Sequence, residues 1–195
     1  MGKIVYIEGS SRGGFNTEKM GLSFLNQVKT KNDSVKKYIL RDLSFRECIS
    51  CGSCDCTGIC ILRDDLTPLY KDLESCDLLI FASPVYFNSV SARSKMCIDR
   101  MQAFWAKRTL LKDKKEGPIS VFLTNGGAPK TENQFKGSHL VMEYFFLSLG
   151  VKDYYYFEVS DTDTSPFQEN STWLKTISNV KKSRNERIEV KYETK

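Results

Sequence analysis

Short apolar runs alternate along this chain with stretches in which apolar residues recur every three or four positions, and the alternation repeats five times. The runs predict strands over residues 3–8, 34–40, 77–82, 118–124 and 153–159, with 77–82 the strongest. The helical spacing predicts helices over 16–29, 64–74 and 131–149, the last stopped by Gly150, and a final helix within 171–182. Another helix is expected from Val90, because Val90, Ser94, Cys97, Met101 and Phe104 share one face. No internal repeat or Pro/Gly-rich linker divides the pattern. The expectation is therefore an α/β fold, a doubly wound five-stranded parallel sheet with helices on both faces. Ligands of such sheets gather at the carboxyl ends of the strands, which directs attention to the loops after the first, third and fourth strands.

A chain of 195 residues suits one core. Residues 1–180 are expected to form the domain, with a cysteine-rich segment, 45–63, inserted after the second strand. A charged tail over 181–195 mixes cations with Glu186, Glu189 and Glu193. Hydrophobic residues at 41% and aromatics at 12% are too many for a disordered chain. The net charge of +5 comes from Lys and Arg scattered along the chain rather than massed in a stripe, which argues against a nucleic-acid partner. The longest apolar runs are too short to span a bilayer, so no membrane role is expected. The first residues run straight into a strand with no targeting signature, so the protein is expected to be cytoplasmic.

Seven cysteines, five of them between Cys48 and Cys60, would be awkward disulfide staples. In a reducing compartment their bunching points to metal or redox chemistry. Cys76 and Cys97 are expected in the core, and His139, the sole histidine, is expected to pack or face water.

The loop over residues 9–17, Gly-Ser-Ser-Arg-Gly-Gly-Phe-Asn-Thr, offers hydroxyls, an amide, glycines, a guanidinium and the free N–H groups of a helix start, but no carboxylate. Such a set suits a terminal phosphate. Gly9 and Gly14 have nucleotide-triphosphate spacing, but Phe15-Asn16 stands where Lys-Ser/Thr is needed; the dinucleotide glycine pattern is missing, and there is no thiol for a phosphatase. The loop after the third strand, Ser83-Pro84-Val85-Tyr86-Phe87-Asn88, offers flat apolar surface. The loop after the fourth, Thr124-Asn125-Gly126-Gly127, lets backbone approach a planar ligand.

Residues 9–17 and 83–91 resemble the two flavin loops of the NADPH-dependent FMN reductase superfamily, whose fold is flavodoxin-like, and residues 48–65 are similar to its iron–sulfur flavoprotein branch. The resemblance covers roughly residues 3 to 150. It implies that Ser10, Arg12, Asn16 and Thr17 hold the FMN phosphate, and that Pro84, Val85, Tyr86, Phe87, Asn88, Thr124, Asn125, Gly126 and Gly127 surround the isoalloxazine ring. The cysteine spacing, C-x2-C-x2-C-x5-C, resembles that branch's compact 4Fe-4S motif, with Cys48, Cys51, Cys54 and Cys60 as ligands and Cys56 as a fifth thiol. Structural zinc and a metal-free loop are the alternatives for this segment.

Function is then expected to be electron transfer through FMN, and through the cluster, between NAD(P)H or a reduced carrier and an acceptor. The alternatives are a cluster-free NAD(P)H-dependent reductase and a non-enzymatic carrier for a ferredoxin-like partner. No side chain is named as catalytic, because hydride arrival at a flavin requires no protein acid or base. The resemblance also implies a homodimer or homotetramer.

Overall fold

The computed structural model describes the backbone of residues 2–192 and the side chains of residues 2–185. Residues 193–195 of the expected tail lie outside that description. Strands β1 (Lys3–Glu8), β2 (Ser34–Ile39), β3 (Leu78–Tyr86), β5 (Ile119–Asn125) and β6 (Tyr154–Val159) form a parallel sheet in the order β2-β1-β3-β5-β6. A two-residue strand, β4 (Ser89–Val90), folds back antiparallel on the end of β3. The doubly wound flavodoxin-like sheet expected from the sequence is the sheet observed, and strand order reverses between β1 and β3.

Alternating residues of each strand serve two cores. Ile4 and Tyr6 join one face with α1 (Asn16–Val28) and α7 (Ser171–Tyr192), through Met20, Phe24, Trp173 and Ile177. Val5 and Ile7 join the other with α3 (Thr67–Ser75), α4 (Ala92–Arg100), α5 (Gln102–Thr109) and α6 (Lys136–Leu149). Strands covered on both faces read as continuous apolar runs. That is why 77–82 stood out and the edge strand β2, exposed along much of its length, did not. Cys76 and Cys97 are buried as expected, and burial pushes both thiols up to about 12.

Several boundaries move. β3 runs on to Tyr86 because β1 ends opposite Ala82, so on that side no ladder partner demands the N–H that Pro84 lacks. The helix expected from Val90 begins at Ala92 and breaks at Met101, yet all five residues assigned to one face are buried. α6 begins at Lys136 rather than at 131, since the Gln134 amide turns back to donate to the Ala128 carbonyl at 2.9 Å. The last helix reaches Tyr192, and Arg184, which the sequence placed in a tail, is buried against the Val28 carbonyl and Asp33. A short helix, α2 (Ser53–Thr57), forms inside the cysteine segment.

Candidate functional site

The loops after β1 and β3 meet where the strand order reverses. Gly9 donates its N–H to the Ala82 carbonyl at 2.8 Å, and a Cβ at Gly9 would stand 1.8 Å from the Ser94 hydroxyl. No residue but glycine fits so close an approach. Ser91 caps α4 by accepting from the Ser94 N–H at 3.1 Å, and its hydroxyl donates to the Gly9 carbonyl at 2.6 Å. The Ser83 and Ser94 hydroxyls lie 3.0 Å apart. This buried knot of hydroxyls was not singled out from the sequence; the only signal was a serine ahead of a helix.

In the loop over residues 9–17 the expected phosphate residues divide into struts and free donors. The buried Ser10 hydroxyl accepts from the Arg12 N–H at 3.1 Å and donates to the Arg12 carbonyl at 3.0 Å, shaping the turn. Asn16 donates to the Thr162 carbonyl at 3.2 Å and accepts from the Phe167 N–H at 3.1 Å, spending both ends of its amide on the chain beyond β6. Thr17 is buried and donates to the Asn125 side chain at 2.6 Å. What faces outward is Arg12, its guanidinium 4.5 Å above the exposed ring of Phe15. The first turn of α1 has no side-chain cap, and Gly14, at φ +74°, leaves open space beside it. Asn16→Ala is expected to lower stability by about 1–3 kcal/mol through two unpaired backbone groups, measured by urea unfolding; an unchanged midpoint would mean that water replaces the amide.

The loop after β5 is tied down as well. The buried Asn125 amide donates to the Thr162 hydroxyl at 3.3 Å, and Thr162 donates to the Gly126 carbonyl at 3.1 Å. Thr124 is buried, and Gly127 lies half-buried beside the Asp163 carboxylate. After β3, Pro84 is buried and Val85 half-buried, whereas Tyr86, Phe87 and Asn88 are exposed. Phe87 and Asn88 form the tip of the β3–β4 hairpin with φ +50° and +59°, a positive-φ pair required by tight two-residue hairpins but unusual for a bulky side chain. Phe87 is fully solvent-exposed at this tip.

Carboxylates missing from the loop stand at its edges. Glu8, wholly buried at the end of β1, accepts from the Ser10 N–H at 2.9 Å and pairs with Arg41. Burial pushes its carboxyl up to about 7 against the opposing pull of the Ser10 N–H and Arg41. Arg41 also reaches Glu18 at 3.2 Å and lies against Gly13. Glu18 in turn accepts from the Gly14 N–H at 2.5 Å, which holds its carboxyl below the usual range. Sequence reasoning missed Arg41, because nothing local marks the residue after a weak edge strand as a neighbour of residues 9–17.

In the cysteine segment, among the described residues, no three His, Cys, Asp or Glu side chains are assembled around one metal position. Of the four expected ligands, Cys54 has its thiol raised by partial burial, by Asp55 and, more weakly, by Cys48 and Cys60. Cys51 is exposed and contacts the Ser53 hydroxyl at 3.5 Å, which lowers it. Cys56 is exposed on α2. His139 stacks on Tyr156 with ring centroids 4.2 Å apart and lies 2.9 Å from Glu158, a packing role as expected.

A family model for the NADPH-dependent FMN reductases matches residues 2–146. The chain belongs to the NADPH-dependent FMN reductase family. An iron–sulfur flavoprotein of Archaeoglobus fulgidus is 37% identical over 120 residues, 62% of this chain and 54% of that protein, so the match spans little more than half the relative's length. An iron–sulfur flavoprotein of Methanocaldococcus jannaschii is 31% identical over 140 residues, 71% of this chain and 72% of its own. Among solved structures, an NADH:FMN oxidoreductase in its apo form aligns with a TM-score of 0.63 at 17% identity, covering 94% of this chain and 88% of the other. The family match takes in all three loops, the cysteine segment and the sheet through β5, and ends within α6. Among the described residues no helix is long and apolar enough to cross a membrane.

Proposed function

We propose that this protein is an FMN-dependent oxidoreductase that takes electrons from NAD(P)H or a reduced carrier and delivers them to an acceptor. The observation that carries the reading is the meeting, at the reversal point of a family-matched sheet, of the loop after β1, with its uncapped helix start and exposed Arg12, and the loop after β3, with its exposed aromatic tip. The chain's donors fit a flavin phosphate in chemistry: the first-turn N–H groups of α1, which no side chain caps, and the exposed Arg12 guanidinium are both available to an anion. Ser10, Asn16 and Thr17 serve that phosphate by fixing the loop's shape, with Tyr86, Phe87 and the backbone of residues 84–88 and 124–127 bordering the ring. The strained Phe87 tip suits an aromatic surface held ready for a planar ligand. Bound FMN would supply the exchange between hydride and single-electron chemistry.

The cysteine set fits a thiolate-ligated cluster in donor chemistry, with Cys48, Cys51, Cys54 and Cys60 as ligands; a 4Fe-4S cluster would add one-electron exchange with the acceptor. The names of the two relatives, both iron–sulfur flavoproteins, support that choice over zinc. Redox small molecules or a ferredoxin-like protein are the partners in this reading, in a cytoplasmic homodimer or homotetramer. Chromatography of extracted cofactor should identify FMN, and purified protein should oxidise NAD(P)H in the presence of a quinone or nitro acceptor. FAD as the sole flavin would overturn the site, and absence of NAD(P)H oxidation with reversible reduction by ferredoxin would leave a carrier. Arg12→Ala should weaken FMN by about 1.5–3 kcal/mol, the range for a hydrogen bond to a charged group, while riboflavin, lacking the phosphate, binds unchanged. Equal FMN affinity in the variant would remove Arg12 from the site.

A further inference from the structure

The last residue of α4, Arg100, is more deeply buried than any other cation among the described residues, at 1% exposure. A guanidinium taken out of water is tolerated only when paired and richly hydrogen-bonded. Arg100 donates from Nη1 to the Arg46 carbonyl at 2.9 Å and to Asp64 at 2.5 Å, and from Nη2 to Asp64 at 3.2 Å and the Leu62 carbonyl at 3.5 Å. The Arg46 N–H also donates to Asp64, at 3.3 Å. Residue 46 on one side and residues 62 and 64 on the other are the two ends of the segment that carries Cys48, Cys51, Cys54, Cys56 and Cys60. One head group thus closes the neck of the whole segment.

A second set of contacts leads inward from that neck. The Tyr70 hydroxyl donates to the Arg100 carbonyl at 2.7 Å, and the Cys60 thiol interacts electrostatically with both Tyr70 and Arg100. The fifth donor of the guanidinium, Nε, is buried without a hydrogen-bond partner. An arginine serving only as a loop clamp would be expected to use or solvate that donor, since a buried unsatisfied N–H is costly. Through the Leu62 carbonyl the cation is therefore held two residues from Cys60, a member of the candidate ligand set, with hydrogen-bonding capacity in reserve.

We propose that Arg100 is the positioning residue of the cysteine segment: it locks the two ends of the segment together and supplies a fixed positive charge beside the thiolates that gather there. The inference rests on the reading that these cysteines bind a cluster. Closing the neck reduces the chain entropy lost when distant thiols converge. A fixed cation favours the more negative, reduced form of a thiolate-ligated cluster, since net charge and hydrogen bonding around the sulfurs set its potential. Lysine could keep the charge but not the planar, four-bond bridge.

Three variants, Arg100→Lys, Arg100→Met and Asp64→Asn, separate these contributions when each is reconstituted anaerobically with iron and sulfide, with bound FMN as the control for folding. Arg100→Met should hold iron roughly 10–100-fold more weakly, the usual range for lost outer-shell partners, and any residual cluster should have a lower reduction potential than wild type. Arg100→Lys should lose iron less and keep the wild-type potential in the fraction that retains it. Asp64→Asn should lose iron with FMN still bound. In metal-free protein, mass spectrometry should show Cys48, Cys54 and Cys60 alkylated several-fold faster in Arg100→Lys, which keeps the charge and loosens only the neck. Wild-type iron retention and potential in Arg100→Met, with wild-type alkylation rates in Arg100→Lys, would overturn the proposal. Should wild-type protein take up no iron, the cluster reading fails, and the alkylation rates still decide whether Arg100 holds the segment. Should Arg100→Met lose FMN through misfolding, Arg100→Lys and Asp64→Asn decide, and wild-type iron and potential in both would reject the role.

Discussion

Serine in place of Cys48, Cys51, Cys54 or Cys60 is expected to strip iron from anaerobically reconstituted protein while FMN stays bound, whereas serine at Cys56 is expected to leave both in place. The effect should be close to all-or-none, because a cubane held by four thiolates does not survive replacement of one by a weakly basic hydroxyl. Cys48, Cys54 and Cys60 are each partly buried, and the Cys54 thiol is raised by burial, by Asp55 and, more weakly, by Cys48 and Cys60. The exposed Cys51 thiol is lowered by the Ser53 hydroxyl and N–H, which favours its thiolate. Cys56 is exposed on α2 and only two residues beyond Cys54, closer than the usual ligand spacings. Iron and sulfide analysis beside the visible spectrum of each variant is the measurement. Iron lost only from the Cys56 variant would keep the cluster and reject this ligand set; stoichiometric zinc in wild type would reject the cluster.

Glu8→Gln is expected to stabilise the protein increasingly as pH rises, by up to about 3 kcal/mol above pH 7, at roughly 1.4 kcal/mol for each pH unit that separates the native from the unfolded carboxyl. The Glu8 carboxyl is pushed up to about 7 from 4.5, chiefly by burial, so between those values the native state holds a proton that the unfolded chain has released. Stability from this group is therefore fully present below pH 4.5, falls as pH rises and levels off above 7. Asp33, Asp64, Glu18 and Glu158 are all held below their usual range and act in the opposite sense, losing stability as pH falls. Only the difference between variant and wild type isolates Glu8. Glutamine keeps an oxygen for the Ser10 N–H and carries no charge to bury. Urea unfolding of flavin-free protein between pH 4.5 and 8 should give a difference near zero at the acid end that grows with pH. A variant less stable than wild type at pH 8 would show instead that the Arg41 pair outweighs the cost of burial.

The cysteine spacing, the polar loop after β1 and the aromatic loop after β3 are contiguous in the chain, so their chemistry was legible residue by residue. The same is true of the sheet interior, where double coverage writes an unbroken apolar run into β3 and β5. Glu8 was read only as the last residue of a strand, and Arg41 was not read at all. Their role depends on β2 lying beside β1, with its end turned toward the loop after β1, and that is a pairing between residues 33 positions apart.

The sequence by itself determined the alternation of strands and helices, the order in which they follow, the segments that carry donors for phosphate and metal, and the family to which they point. Those are properties of local periodicity and local composition, and the backbone geometry of each element enforces them within a few residues. Tertiary structure alone decided which partners those donors hold within the chain. Asn16, Thr17 and Asn125 read in sequence as ligand-binding side chains, and the fold gives each a partner within the chain: Thr162 bonds Asn16 and Asn125, and Thr17 bonds Asn125. It also decided that Arg100, in sequence one more cation at the end of a helix, closes a segment that begins 54 residues earlier in the chain. A polar group's hydrogen-bonding capacity is finite and burial forces it to be spent, so the partners brought near by folding, rather than the residue type, settle what is left for a ligand.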